Sequence, residues 1–161
     1  MVASDDKGAS AAARPAPAAK VGTRQNPVPL GDGYTIEDRG HRYELSVLQV
    51  ERRASQLVRS ANQFNTVAPA GNDYITVKLG MSYLTGPESA PFTPTDGGYT
   101  FYAANQKWGA PSTNVARTPG FTKQDLFPGA KHEGWLGGRY LPNELQDEAV
   151  LVYQDVFFAL D

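Results

Sequence analysis

The sequence predicts an all-β fold, an antiparallel β-sandwich of about seven or eight short strands behind a polar tail. Three observations carry that prediction. First, residues 72–83 alternate: Ile75, Val77, Leu79, Met81 and Tyr83 share one face, and Tyr74, Thr76, Lys78, Gly80 and Ser82 share the other. Side chains on a strand point alternately to opposite sides, so this period marks a half-buried strand. Second, apolar runs of strand length are separated by turn residues and never alternate with helical patterns, which excludes a βαβ layout. Third, 16 glycines and 12 prolines in 161 residues favour many turns, and 8 Tyr with 7 Phe suit pleated sheets.

In chain order, residues 1–21 form a tether rich in Ala, Pro and charged side chains. Such a stretch buries too little apolar surface to offset its ordering entropy, so a disordered or extended spacer is expected. It has no apolar central region of a signal peptide. The domain then occupies residues 22–161. Pro27 and Pro29 lack backbone donors and suit a sheet edge, not its centre. Gly31-Asp32-Gly33 is a turn; calcium loops also use Asp-Gly pairs, but the rest of such a loop is missing. A short strand begins at Tyr34. Tyr43, Leu45 and Val47 alternate with Arg42, Glu44 and Ser46 before the apolar phase slips at Leu48 and Val50, as a β-bulge would make it do. Residues 51–62 read as a continuing strand with a turn. A helical turn is the second choice, on the stripe Ala54, Leu57, Val58, Ala61, and Arg52, Arg53 and Arg59 form a solvated face.

The alternating segment 72–83 is the central strand, of about 11 to 12 residues, with Gly86-Pro87 as its stop. Residues 99–102, Tyr-Thr-Phe-Tyr, make a short aromatic strand. Residues 103–118 read as a long polar loop carrying Trp108. Residues 131–140 read as one strand whose Gly134, Gly137 and Gly138 imply a bulge or the close approach of another backbone. An acidic loop follows at 142–148. The last strands are 149–153 and 156–160, or one long strand kinked at Gln154-Asp155.

The chemistry on offer is sparse. A net charge of −2 gives no electrostatic case for nucleic acid or an anionic membrane surface. The absence of Cys removes disulfides, thiolate metal sites and thiol nucleophiles. No run of about 18 apolar residues encodes a transmembrane helix. His41 and His132 lack partners at metal-ligand spacing, and His132 and Glu133, adjacent on a strand, point to opposite faces. No Gly-x-Ser-x-Gly elbow or phosphate-binding loop is present. Glu144, Asp147 and Glu148 read as a solvated face. No catalytic, cofactor or metal residue is therefore assigned. The candidates that remain are aromatic: Tyr99, Tyr102 and Trp108, on or beside the long loop, where rigid rings give contact area at low entropy cost. The competing reading places Trp108 as a plug at one end of the sandwich.

A resemblance rests on several stretches taken in order. They are Gly-Thr-Arg-Gln-Asn-Pro-Val-Pro-Leu-Gly at 22–31, Ala-Asn-Gln-Phe-Asn at 61–65, Gly71 with Tyr-Ile-Thr-Val-Lys-Leu at 74–79, Leu-Phe-Pro-Gly-Ala at 126–130 with Gly134-Trp135, and Phe-Phe-Ala-Leu at 157–160. Together they resemble an uncharacterised family of secreted bacterial and archaeal lipoprotein domains with an immunoglobulin-like sandwich. Mycobacterial immunoprotective extracellular antigens belong to the same broad group. Members of that family carry a signal peptide and a lipid-bearing Cys ahead of the spacer, and an apolar strand where this sequence has Gly-Gly-Arg at 137–139. The resemblance implies an immunoglobulin-like fold and an extracytoplasmic, secreted or cell-surface location, with no established activity. The expectation is a non-enzymatic domain on a tether that meets a protein, a cell-envelope glycan or further copies of itself. The alternatives are a structural subunit of a surface layer or filament, and a hydrolase whose site is invisible in sequence.

Overall fold

The computed structural model describes residues 20–94, 99–108, 120–121 and 124–161. Among these the chain forms nine strands: β1 (Tyr34–Asp38), β2 (His41–Glu51), β3 (Asn72–Thr85), β4 (Tyr99–Ala103), β5 (Gln106–Trp108), β6 (Lys131–Trp135), β7 (Arg139–Pro142), β8 (Val150–Tyr153) and β9 (Val156–Phe158). The larger sheet runs β1-β2-β3-β6, with β7 pairing the other end of β3; the smaller runs β5-β4-β8-β9. Every pairing between these strands is antiparallel. The inner faces of both sheets fill one core, so the described residues form an all-β sandwich.

Strand β3 is the spine, as its alternation predicts. Ile75, Val77, Leu79, Met81 and Tyr83 are all buried in the shared core. They meet Tyr43, Leu45 and Val47 of β2 across the ladder or beside it, and Tyr99, Phe101, Leu151 and Tyr153 from the opposite sheet complete the core. The phase slip in β2 is a bulge: Val47 faces Leu79 and Gln49 faces Lys78, which leaves Leu48 between them. Residue 28 behaves as its flanking prolines require. Val28 bridges Phe158 at the outer edge of β9, and only Val28 itself lends its amide, to Phe157 O at 2.8 Å.

Three hairpins use two-residue turns with positive φ at both positions: Arg39-Gly40 (51° and 84°), Ala104-Asn105 (52° and 60°) and Gln154-Asp155 (51° and 64°). That backbone matches the twist of the flanking strands, so the strands can pair up to the turn itself. The last two strands are thus separate, as expected first, and the alternative of one strand kinked at Gln154-Asp155 gives way to a complete reversal. The loop expected over 103–118 begins with one such turn and then β5; residues 109–119 lie outside the described residues.

Four expectations need correction. Residues 55–61 are not strand but helix α1 (Ser55–Ala61), the second choice in the sequence reading. The ladder with β3 ends at Glu51-Thr76, and Arg53 adopts φ +50°. Beyond that point Tyr74 lies on the outer face of β3, and Ala54, Val58 and Leu57 cover it in a second small core with Ala68 and Tyr140. Amphipathic spacing therefore wins where an apolar outer face needs a lid. Residues 131–140 are two strands. The break at 136–138 shifts the register against β3 by one residue, since Lys78 faces Trp135 but Ile75 faces Arg139. Residues 143–148, expected as a loop, form a 3-10 helix (Asn143–Glu148). Its Gln146 is fully buried, donating through Nε2 to Asp73 O at 2.8 Å and accepting through Oε1 from the Arg53 amide at 2.9 Å. Arg52 is also less solvated than expected, donating to Gln146 O and Leu160 O.

Of the expected tether, residues 1–19 lie outside the described residues. Gly22, the first residue of the expected domain, is tied to the smaller sheet: its carbonyl accepts from the Phe157 amide at 2.9 Å.

Candidate functional site

The three aromatic candidates come from one hairpin, β4-β5, and alternation sends them to different sides. Tyr99 and Phe101 point inward, and Tyr99 is only 4% exposed. Tyr102 points outward. Trp108 faces Phe101 across the ladder, so it also turns inward, where it packs on the core and donates from Nε1 to Ala103 O at 3.2 Å. The hairpin therefore does not gather the three rings at one surface. Trp108 closes the edge of the sandwich, and Tyr102 alone looks out.

Around Tyr102 the outer face of the smaller sheet forms a shallow cleft of about 180 Å³. Tyr102 supplies its aromatic wall and is held by an edge contact with Phe157, ring centroids 5.3 Å apart. Arg24, Asn105 and Glu148 supply the polar rim, and all three are exposed. Arg24 donates from Nη1 to Asn105 Oδ1, which joins the N-terminal segment to the β4-β5 turn. The rim thus offers a guanidinium, an amide and a carboxylate beside a ring face. Those groups can donate to and accept from hydroxyls while the ring covers an apolar patch. The cleft is smaller than pockets that engulf a whole small molecule, so it suits one sugar ring or one side chain of a partner. Asn105 stands near Tyr102 in sequence and is legible as turn chemistry. Arg24 and Glu148 arrive from distant segments, and nothing in the sequence signals them.

Elsewhere both histidines are engaged in structure. The His41 Nδ1 lies 2.7 Å from the Tyr83 hydroxyl, and His41 packs on Phe92. The His132 Nε2 lies 2.8 Å from Phe121 O, with its ring stacked on Phe121. Burial pushes the Tyr83 hydroxyl up from its ordinary value, with the charge of Glu88 adding to it. Tyr43 is pushed up to about 12, first by burial and then by Asp38, with Arg39 opposing. Asp147 pairs with Arg53 at 3.4 Å and Arg52 at 3.8 Å on the surface. Among the described residues no three His, Asp or Glu side chains converge as a metal site would need, and no helix is long and apolar enough to cross a membrane. A groove beside α1, of about 200 Å³, is walled by Val58, Val67, Ala68 and Tyr74.

Comparison with known proteins finds no family model, no curated protein and no solved structure that matches this chain.

Proposed function

We propose that this chain is a non-enzymatic, extracytoplasmic binding domain of immunoglobulin-like type that contacts a cell-envelope glycan or a partner protein through Tyr102. The observation that carries this reading is the Tyr102 cleft, an outward ring bordered by Arg24, Asn105 and Glu148 on a rigid hairpin. Rings on a stable sheet present contact area without a large ordering cost, and a mixed polar rim supplies orientation. The extracytoplasmic location rests on the resemblance of the sequence to secreted lipoprotein domains and on the Ala/Pro-rich segment ahead of the domain.

The test is a titration of the full chain with soluble cell-envelope oligosaccharides and envelope protein fractions, followed by amide chemical shifts. The expected result is saturable shifts at Tyr102, Asn105 and Glu148, with affinity falling at least about tenfold in Tyr102→Ala while the melting temperature holds. Trp108→Phe is expected to leave affinity unchanged. Shifts centred elsewhere, or unaltered affinity in Tyr102→Ala, would overturn the assignment of the cleft.

A further inference from the structure

Arg139 is the least expected side chain in the sandwich. It opens β7, where it faces Ile75 of β3 across the ladder. Ile75 and Leu141, its neighbour two residues on, both lie in the shared core, so Arg139 points between the sheets. Only 7% of it is exposed. Its guanidinium carbon sits 4.2 Å from the centroid of the Tyr99 ring, which comes from the opposite sheet. Among the described residues neither Nε nor Nη1 has a hydrogen-bond partner.

A guanidinium is a permanent charge in proteins. Burying a lone cation is costly, and one aromatic face recovers only part of that cost. Nothing in the local sequence demands a charge here, since an apolar residue at 139 would continue the inner face between Ile75 and Leu141. The charge therefore has work to do.

We propose that Arg139 is the cation of a carboxylate-binding slot between the sheets, floored by Tyr99 and bordered by β5, which lies against β7 and ends at Trp108. The Tyr99 ring lies against the guanidinium. The donors of a guanidinium lie in its own plane, where a flat carboxylate can meet two of them with parallel N–H···O bonds. The ligand class is a small carboxylate, free in solution or at the end of a peptide. Tyr99 lies on the inner face of β4 and Tyr102 on its outer face, so the slot is separate from the Tyr102 cleft and each stands or falls alone.

The experiment reads the arginine Nε–H signals of the ¹⁵N-labelled full chain, with the Arg139 signal assigned by its loss in Arg139→Met. Sodium acetate and N-acetylglycine are titrated against sodium chloride at constant ionic strength. The expected result is a saturable downfield shift of that one signal with both carboxylates and none with chloride. Tighter binding of N-acetylglycine by about tenfold or more assigns the slot to a peptide terminus; equal binding assigns it to free carboxylates. Asp96→Asn is the internal control, because Asp96 lies three residues before Tyr99 in the chain. If that variant moves the Arg139 signal without added anion, and the wild type ignores both carboxylates, the counter-charge is the chain's own and the proposal fails. Arg139→Met is expected to keep or raise the melting temperature in chloride, since it removes a buried charge with no ion-pair partner among the described residues. A large fall there would likewise show a partner already in place and overturn the slot. Should Arg139→Met not fold, Arg139→Gln supplies the assignment and the wild-type titration decides.

Discussion

Gly134 and Phe121 meet backbone to backbone. A Cβ on Gly134 would lie 2.5 Å from the Cα of Phe121 and 2.6 Å from the carbonyl of Gly120. The Phe121 amide donates to Trp135 O at 3.0 Å, so residues 120–121 run along β6 and close over its inner side. Phe121 is fully buried there, stacked on His132 and edge-on to Tyr153 of the other sheet. The glycine at 134 is what lets this covering segment approach.

Gly134→Ala therefore cannot be absorbed by turning a flexible side chain aside, because the obstacle is main chain. The expected cost is about 2–3 kcal/mol, at the upper end for overpacking. Urea unfolding of the variant checks it. Loss of the His132–Phe121 contact, seen as movement of the His132 ring signals, should accompany the loss of stability.

Leu79 stands at the middle of β3 and is 0% exposed. Leu79→Ala removes buried methyl groups and leaves a cavity in the shared core. The expected loss is about 2–5 kcal/mol, measured as a lower urea midpoint at an unchanged slope. A loss below about 0.5 kcal/mol would mean that this position is not core.

Tyr43 gives a pH dependence whose sign follows from linkage. Its hydroxyl ionises at about 12 in the folded chain against 10.0 for the free side chain, because burial disfavours the phenolate. Between those values the unfolded chain has lost a proton that the folded chain keeps, so stability falls as pH rises from about 10 to 12. Below pH 10 the contribution is fully present. The expected fall assigned to Tyr43 is about 2 kcal/mol. It should be absent in Tyr43→Phe, which keeps the ring that stacks on Phe92. Urea titrations of both chains at several alkaline pH values compare the slopes.

The features legible in the sequence are local. Period-two alternation placed β3 and its core face, because a strand's two sides are set by the backbone and Ile75, Val77, Leu79, Met81 and Tyr83 all fall on one of them. The phase slip located the bulge at Leu48, the prolines put Val28 at an edge, and the glycine inside β6 announced the approach of Gly120-Phe121. Whatever depends on a neighbour distant in the chain was set by packing. In Tyr-Thr-Phe-Tyr both faces carry an aromatic ring, so only the opposing sheet determined that Tyr99 turns in and Tyr102 turns out. Residues 55–61 became helix because the outer side of Tyr74 needed cover, a demand that arises on another strand. Arg24 and Glu148 reached Tyr102, and Arg139 reached Tyr99, through sheet pairing and packing across long sequence separations. Propensity and periodicity act over a few residues; the choice of which side is inside, and of which charges meet there, is made when the two sheets close on one core.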